Sequence, residues 1–153
     1  MGGVAERLRA LGLELPEQGP LRSYVAAVRA GDFLFVSGGG PQKADGTFIT
    51  AKVGADVDME TAQEAVKLSA LDCLASVQEE LGDLEKVARI VKLLLFVNSA
   101  PGFVMQHVVM DGACDALISL FGESGRHARS SVDVAELPMN IAAEMEMIVE
   151  ASE

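Results

Sequence analysis

The 153 residues contain no Trp, one Tyr and only two Cys, and no apolar run is long enough for a membrane-spanning helix, which needs about 20 residues. Two cysteines cannot build a disulfide framework. Cys73 and Cys114 lie in helical patterns among apolar neighbours, without metal-ligand spacing, as expected of reduced thiols in a cytoplasmic protein. The N-terminal stretch MGGVAERLRALGLELPEQGP carries acidic residues and no apolar core, so it reads neither as a secretory leader nor as a membrane anchor. Glu6 stands where a myristoylation signal wants Ser or Thr. Basic residues are also scarce: 12 Lys and Arg against 23 Asp and Glu give a net charge of −11, a field that repels polyanions and argues against a nucleic-acid partner.

What is present is half apolar by residue count with 5% aromatics, which predicts one domain with an aliphatic, Ala-rich core. Val4 to Leu13 predicts a short amphipathic helix ending before Pro16, within an N-terminal extension over residues 1–20. The period then changes to two: Tyr24 to Arg29 and Phe33 to Ser37 read as a hairpin around Ala30-Gly31-Asp32, and Asp45-Gly46 marks a further turn.

Between Glu60 and Leu81 the residues Ala62, Ala65, Val66, Ser69, Cys73, Val77 and Leu81 recur at helical spacing, with Gly82 as the stop. The run 87–98 is nearly continuously apolar and predicts a central strand covered on both faces. A second helix is expected from the Ser99-Ala100-Pro101 segment to Phe121, although Gly112 within it costs about 1 kcal/mol relative to Ala.

Ser130 to Val134 and Ile141 to Val149 complete the pattern as strands. Ile141, Ala143, Met145 and Met147 share an apolar face, and Glu144 and Glu146 look the other way. The expected order is β-β-(β)-α-β-α-β-β, an α+β sheet with helices on one face. The face away from the helices must also be covered, since Ile141, Ala143, Met145 and Met147 would otherwise make a large open patch, and a homo-oligomer is the economical cover.

The segment RHARSSVDVAELP, 126–138, places two arginines and a histidine just before a strand in this acidic chain. One reading is surface decoration; the other is that an anion is held there. A planar guanidinium grips a carboxylate with two parallel charge-assisted bonds, a geometry Lys cannot reproduce, so Arg129 suits a small acid. Cys114, amid Ala and Leu on a helix, reads as a small core residue rather than a nucleophile. SGGGP at 37–41 lacks the Lys and Ser/Thr of a phosphate loop, so a nucleotide is not expected.

ARSSV, VAELP and AAEMEMI together resemble the signature of the RidA/YjgF family of reactive intermediate deaminases, in which an Ala-Arg-Ser-x-Val strand leads through a Leu-Pro turn to a strand bearing a glutamate. YVAAVRAGDFLFVSGGGP resembles that family's first hairpin, so the likeness spans about Tyr24 to Ile148. It implies a chorismate-mutase-like α+β fold, a homotrimer with a central β-barrel, and clefts between subunits. It also implies cofactor-free hydrolysis of enamines and 2-imino acids to 2-oxo acids and ammonia.

Carried over residue by residue, Arg129 matches the carboxylate anchor, Glu144 the glutamate that handles the water, and Tyr24 the hairpin tyrosine. Ser131 stands where many members have Cys or Thr, and the amides near Gly38 and Gly39 are expected to approach the ligand. The chain departs from the family at three points: Gly39 stands where Gln is frequent, Cys114 where a helix Asn is common, and His127 where Pro usually precedes Ala-Arg. Cys114 and His127 are therefore expected to line the pocket. Two other functions stay open, a non-catalytic trimer binding a small carboxylate and, against the charge balance, an endoribonuclease.

Overall fold

The computed structural model describes residues 2–20 and 23–152, so the expected N-terminal extension is seen from Gly2. Five strands form one mixed sheet in the order β1-β2-β5-β3-β4. They are β1 (Ala27–Ala30), β2 (Phe33–Gly39), β3 (Val87–Val97), β4 (Ala128–Asp133) and β5 (Ala143–Ala151). All pairings are antiparallel except β3 with β4, which are parallel and joined by the crossover helix α3 (Gln106–Phe121). Helix α2 (Met59–Leu81) packs beside α3 on the same face of the sheet, and α1 (Val4–Ala10) sets Val4 and Leu8 into the core near α3. The α+β architecture with two main helices on one face agrees with the sequence reading.

Helix α2 shows why the local signals were strong. Asp58 caps its N-terminus by accepting from the Thr61 amide at 2.8 Å, and Gly82, with φ 77°, ends it in the left-handed conformation. One face of α2 buries Ala62, Ala65, Val66, Ser69, Cys73, Val77 and Leu81, seven positions that set the helix against the sheet. Gly112 is explained by packing rather than by a boundary. A Cβ there would lie 2.3 Å from the Gln63 carbonyl oxygen, so the missing side chain lets α3 approach α2 closely.

Several boundaries differ from expectation. Helix α1 stops at Ala10, because Gly12 takes φ 64° two residues later. Helix α3 begins at Gln106, since residues 98–105 run irregularly, tied by Gln106 Nε2 donating to the Phe103 carbonyl and to Ser99 Oγ. Tyr24 precedes β1 instead of opening it, and the turn at Asp45-Gly46 leads only to isolated bridges, Gln42 with Phe48 and Thr50 with Ile141.

The larger correction concerns the two faces of the sheet. Ala143, Met145 and Met147 of β5, together with Ile141, are buried on the helix side by the chain's own α2, so they make no open patch. They lie beside Leu93, Leu95 and Val97 of β3 and Leu34 and Val36 of β2, all buried. The single chain covers β3 with helices on one face only.

The other face carries Val28, Phe33, Phe35 and Val132, which are 53, 40, 48 and 44% exposed, with Leu94, Phe96 and Ile148 half-buried among them. The apolar surface left for a second copy is thus formed by these Phe and Val residues and not by the Met and Ala residues of β5. A contiguous apolar sheet face marks an interaction surface.

Candidate functional site

The residues singled out by sequence fall into two groups on different strands of the sheet. One group lies where β2 meets β5. Val36 faces Met147 and Gly39 faces Met145, so three steps along β2 match two along β5, and a β-bulge at Ser37 and Gly38 takes up the extra residue. Strict alternation would turn Gly38 toward the helices. The bulge turns Gly39 there instead.

A Cβ on Gly39 would lie 2.9 Å from Cys73 Sγ and 2.9 Å from the Ser69 carbonyl oxygen, so Gly39 is a packing glycine buried under α2 and does not line an open pocket. Gly38, by contrast, is exposed on the open face, and a Cβ there would lie 2.8 Å from Glu144 Oε1. Gly38 and Glu144 are therefore in direct apposition.

Glu144 is half-buried, pairs in register with Phe96 of β3 and has Glu146 next along its face. Burial, with the like charge of Glu146 behind it, raises its carboxyl above the ordinary value of 4.5. Beside this group a cleft of about 210 Å³ is lined by Tyr24, Ser37, Gly38, Gln18 and Asp72 among others. Tyr24 is 62% exposed at its rim, and Ser37 Oγ donates to the Val25 carbonyl at 2.7 Å. The N-terminal extension forms one wall. Gln18 Nε2 donates to Asp72 Oδ1 at 2.8 Å, Ser76 Oγ donates to Gln18 Oε1 at 3.2 Å, and Asp72 Oδ2 accepts from the Gly40 amide at 2.9 Å.

The second group is on β4, the far edge strand. Arg129 pairs with Leu93 and Ser131 with Leu95, so both side chains lie on the helix side, beneath α3. Arg129 Nη1 donates to Asp111 Oδ1 at 2.8 Å and to Cys114 Sγ at 3.3 Å. Asp111, one helical turn before Cys114, raises the guanidinium's pKa above its ordinary value. Nη2 and Nε have no protein partner among the described residues, and the side chain is 35% exposed.

His127 is half-buried. Its Nδ1 lies 2.6 Å from the Gly125 carbonyl and its Nε2 lies 3.2 Å from Cys114 Sγ. Burial lowers its pKa, and the charge of Arg129 adds to the effect. Cys114 is half-buried beside the His127 ring and the Arg129 guanidinium, so its surroundings are not those of an ordinary core residue.

Sequence reasoning missed Asp111. The available signal was its spacing of three residues before Cys114, which puts both on one helix face. The structure thus brings Gly38, Tyr24 and Glu144 together around β2 and β5, and Arg129, Ser131, Cys114 and His127 together around β4. It does not bring the groups together within one chain: at about 4.8 Å per strand, β2 and β4 are roughly 14 Å apart across β5 and β3. No group of three or more His, Cys, Asp or Glu suited to a metal ion occurs among the described residues, and no helix among them is long and apolar enough to cross a membrane.

The arrangement matches known proteins over nearly the whole chain. Protein TCP17 of Trypanosoma cruzi is 43% identical over 151 residues, covering 97% of this chain and 94% of that protein. The crystal structure of Atu1372, a protein of unknown function from Agrobacterium tumefaciens, superposes with a TM-score of 0.91 at 42% identity, covering 97% of this chain and 94% of that one. A Shewanella oneidensis protein titled a "putative endoribonuclease" gives a TM-score of 0.92 at 29% identity, covering 97% and 99% of the two chains. Residues 5–150 match the family model described as "YjgF/chorismate_mutase-like, putative endoribonuclease". The strand motif, the fold and this match agree: the chain belongs to the YjgF/RidA family.

Proposed function

We propose that the protein hydrolyses reactive enamines and 2-imino acids to 2-oxo acids and ammonia without a cofactor, in clefts completed by neighbouring subunits of a homotrimer. The observation that carries this reading is Arg129: a half-exposed guanidinium whose Nη2–Nε edge is unclaimed by the protein. That edge presents two parallel donors to a carboxylate. An imine carbon is already electrophilic, so orientation and one placed water suffice. Glu144, its proton affinity raised by burial, accepts a proton from the water as the water adds to the imine carbon, and collapse of the carbinolamine releases ammonia.

A second copy is part of the proposal because Arg129 and Glu144 lie two strands apart and on opposite faces of the sheet. The exposed Val28, Phe33 and Phe35 supply the apolar surface on which protomers would assemble. The same separation favours a second reading, a carboxylate-binding trimer without turnover, should the Glu144 group of the neighbour fall short of the acid held by Arg129. RNA cleavage, suggested by the family's description, is opposed by the net charge of −11.

The test is ammonia release from 2-iminopropanoate generated in situ by an amino-acid oxidase. The wild type is expected to exceed the buffer rate and Arg129→Ala to fall to it. Carboxylate binding with no acceleration by the wild type would refute the deaminase and leave the binder.

A further inference from the structure

Cys114 is the nucleophilic side chain nearest the carboxylate anchor, and the hydrolytic mechanism gives it no role. Its surroundings are specific. A carbonyl oxygen can only accept, so the 2.6 Å contact between Gly125 O and His127 Nδ1 requires the proton on Nδ1. The lone pair of the neutral ring is then on Nε2, which lies 3.2 Å from Cys114 Sγ. A thiol, a base within hydrogen-bond reach and a third group fixing the base's tautomer form the arrangement that activates nucleophiles. Arg129 Nη1, 3.3 Å from the same sulfur, stabilises negative charge developing there.

We infer that Cys114, His127 and Arg129 form a nucleophilic thiol site for small carboxylates whose carbon next to the carboxyl group is electrophilic. Arg129 holds the carboxylate through its Nη2–Nε edge, and the thiol at the shared Nη1 attacks the adjoining carbon. The ligand class rests on the reading of Arg129 as a carboxylate anchor; the activated thiol does not.

Burial raises the Cys114 pKa, with Asp111 and Asp115 contributing, while Arg129 opposes the shift. Burial also keeps His127 neutral. The pair therefore rests as thiol and imidazole, and the proton moves to Nε2 as the sulfur attacks. Cys73 is fully buried, its thiol shifted further upward, and has no histidine partner among the described residues.

Iodoacetate and iodoacetamide test the two parts separately, since they differ only in the carboxylate. With either reagent the S–C bond forms as the C–I bond breaks, iodide leaves with its electron pair, and the thiol proton passes to His127 Nε2. Alkylation of the full-length protein is followed by peptide mass spectrometry against glutathione as the reference thiol. Cys114 is expected to react, and Cys73 to stay unmodified. His127→Gln should slow Cys114 by about tenfold or more, as expected for loss of a general base. The iodoacetate-to-iodoacetamide rate ratio should exceed that of glutathione by about tenfold, the worth of one charge-assisted hydrogen bond, and return to the glutathione value in Arg129→Gln.

A Cys114 rate no higher than that of glutathione and unchanged by His127→Gln overturns the inference, whatever the ammonia assay shows. A His127-dependent rate without iodoacetate preference overturns the carboxylate reading of Arg129 and, with it, the assigned ligand class. Alkylation of Cys73 reports unfolding, and any variant showing it is replaced by His127→Asn or Arg129→Lys.

Discussion

Arg129 and Glu144 stand two strands apart and leave opposite faces of one sheet. Arg129 shares the helix side of β4 with Ser131, whereas Glu144 shares the open side of β5 with Glu146. Two strand spacings are about 10 Å, and the sheet itself lies between the side chains, so no small acid touches both within one protomer. A site that uses both is shared between chains.

Subunit mixing gives a direct consequence. Arg129→Ala and Glu144→Gln are each expected to lose roughly 10²-fold in kcat/KM, Arg129→Ala through the loss of one or two charge-assisted bonds. Co-expressed at equal amounts, the two inactive chains form mixed trimers in which some clefts receive both native residues. Random assembly gives about a quarter of the clefts this composition, and ammonia release should recover to about that fraction. No recovery in mixed trimers would mean that one chain carries the whole site.

The adjacent glycines 38 and 39 separate activity from stability. A Cβ at Gly39 meets Cys73 Sγ and the Ser69 carbonyl, both at 2.9 Å inside the core, so Gly39→Ala should overpack it at a cost of about 1–3 kcal/mol and lower Tm by roughly 3–10 °C. A Cβ at Gly38 meets the carboxylate end of Glu144, which swings away at little cost to the fold. Gly38→Ala should melt near the wild type but lose turnover. Thermal melts beside ammonia assays check the pair, and the opposite pattern would contradict the bulge geometry.

These two glycines also show what was legible in the sequence. Helix α2 could be read because its signals are local: one apolar stripe and Gly82 as the stop. Strand β5 could be read because Met145 and Met147 alternate with Glu144 and Glu146. The bulge at Ser37 and Gly38 could not, since it exists only as a mismatch of register between β2 and β5, and alternation along β2 alone assigns the glycines to the wrong faces. The resemblance put Cys114, His127 and Arg129 in one pocket, but the same limit hid their direct contacts. The partners of Cys114 arrive from β4 and from the turn at Gly125, and only the α3–β4 crossover brings them to the sulfur. Which face of β5 needed a cover was likewise decided by where α2 packed, a tertiary fact.

The open face of the sheet is the surface on which the proposed trimer would assemble. Phe35 pairs with Val28 and Ile148 in register, forming an apolar row in which Val28 and Phe35 are about half exposed. Phe35→Lys puts a charge into that row and leaves the helix-side core untouched. It is expected to yield a folded monomer by analytical ultracentrifugation, with native circular dichroism and no ammonia release, whereas the wild type is expected to sediment as the proposed trimer. A wild-type monomer would contradict the shared cleft.

Glu144 gives the pH dependence. Its carboxyl titrates above 4.5, first because of burial and second because of Glu146. As the proposed base it would work only when ionised, so kcat/KM should fall on the acid side along a limb displaced upward from the ordinary value of 4.5. Glu146→Gln removes the like charge and should shift the limb to lower pH, and Glu144→Gln should remove the limb from the residual activity. Stability follows with the opposite sign. A carboxyl raised on folding binds its proton more tightly in the native state, so its contribution to stability is lost as pH rises from the unfolded value through the folded one. Glu144→Gln should therefore raise Tm at neutral pH and leave it unchanged below the carboxylate range, where both states are protonated. A variant that lowers Tm at neutral pH would show Glu144 to be stabilised as the anion, contrary to a half-buried base facing Glu146.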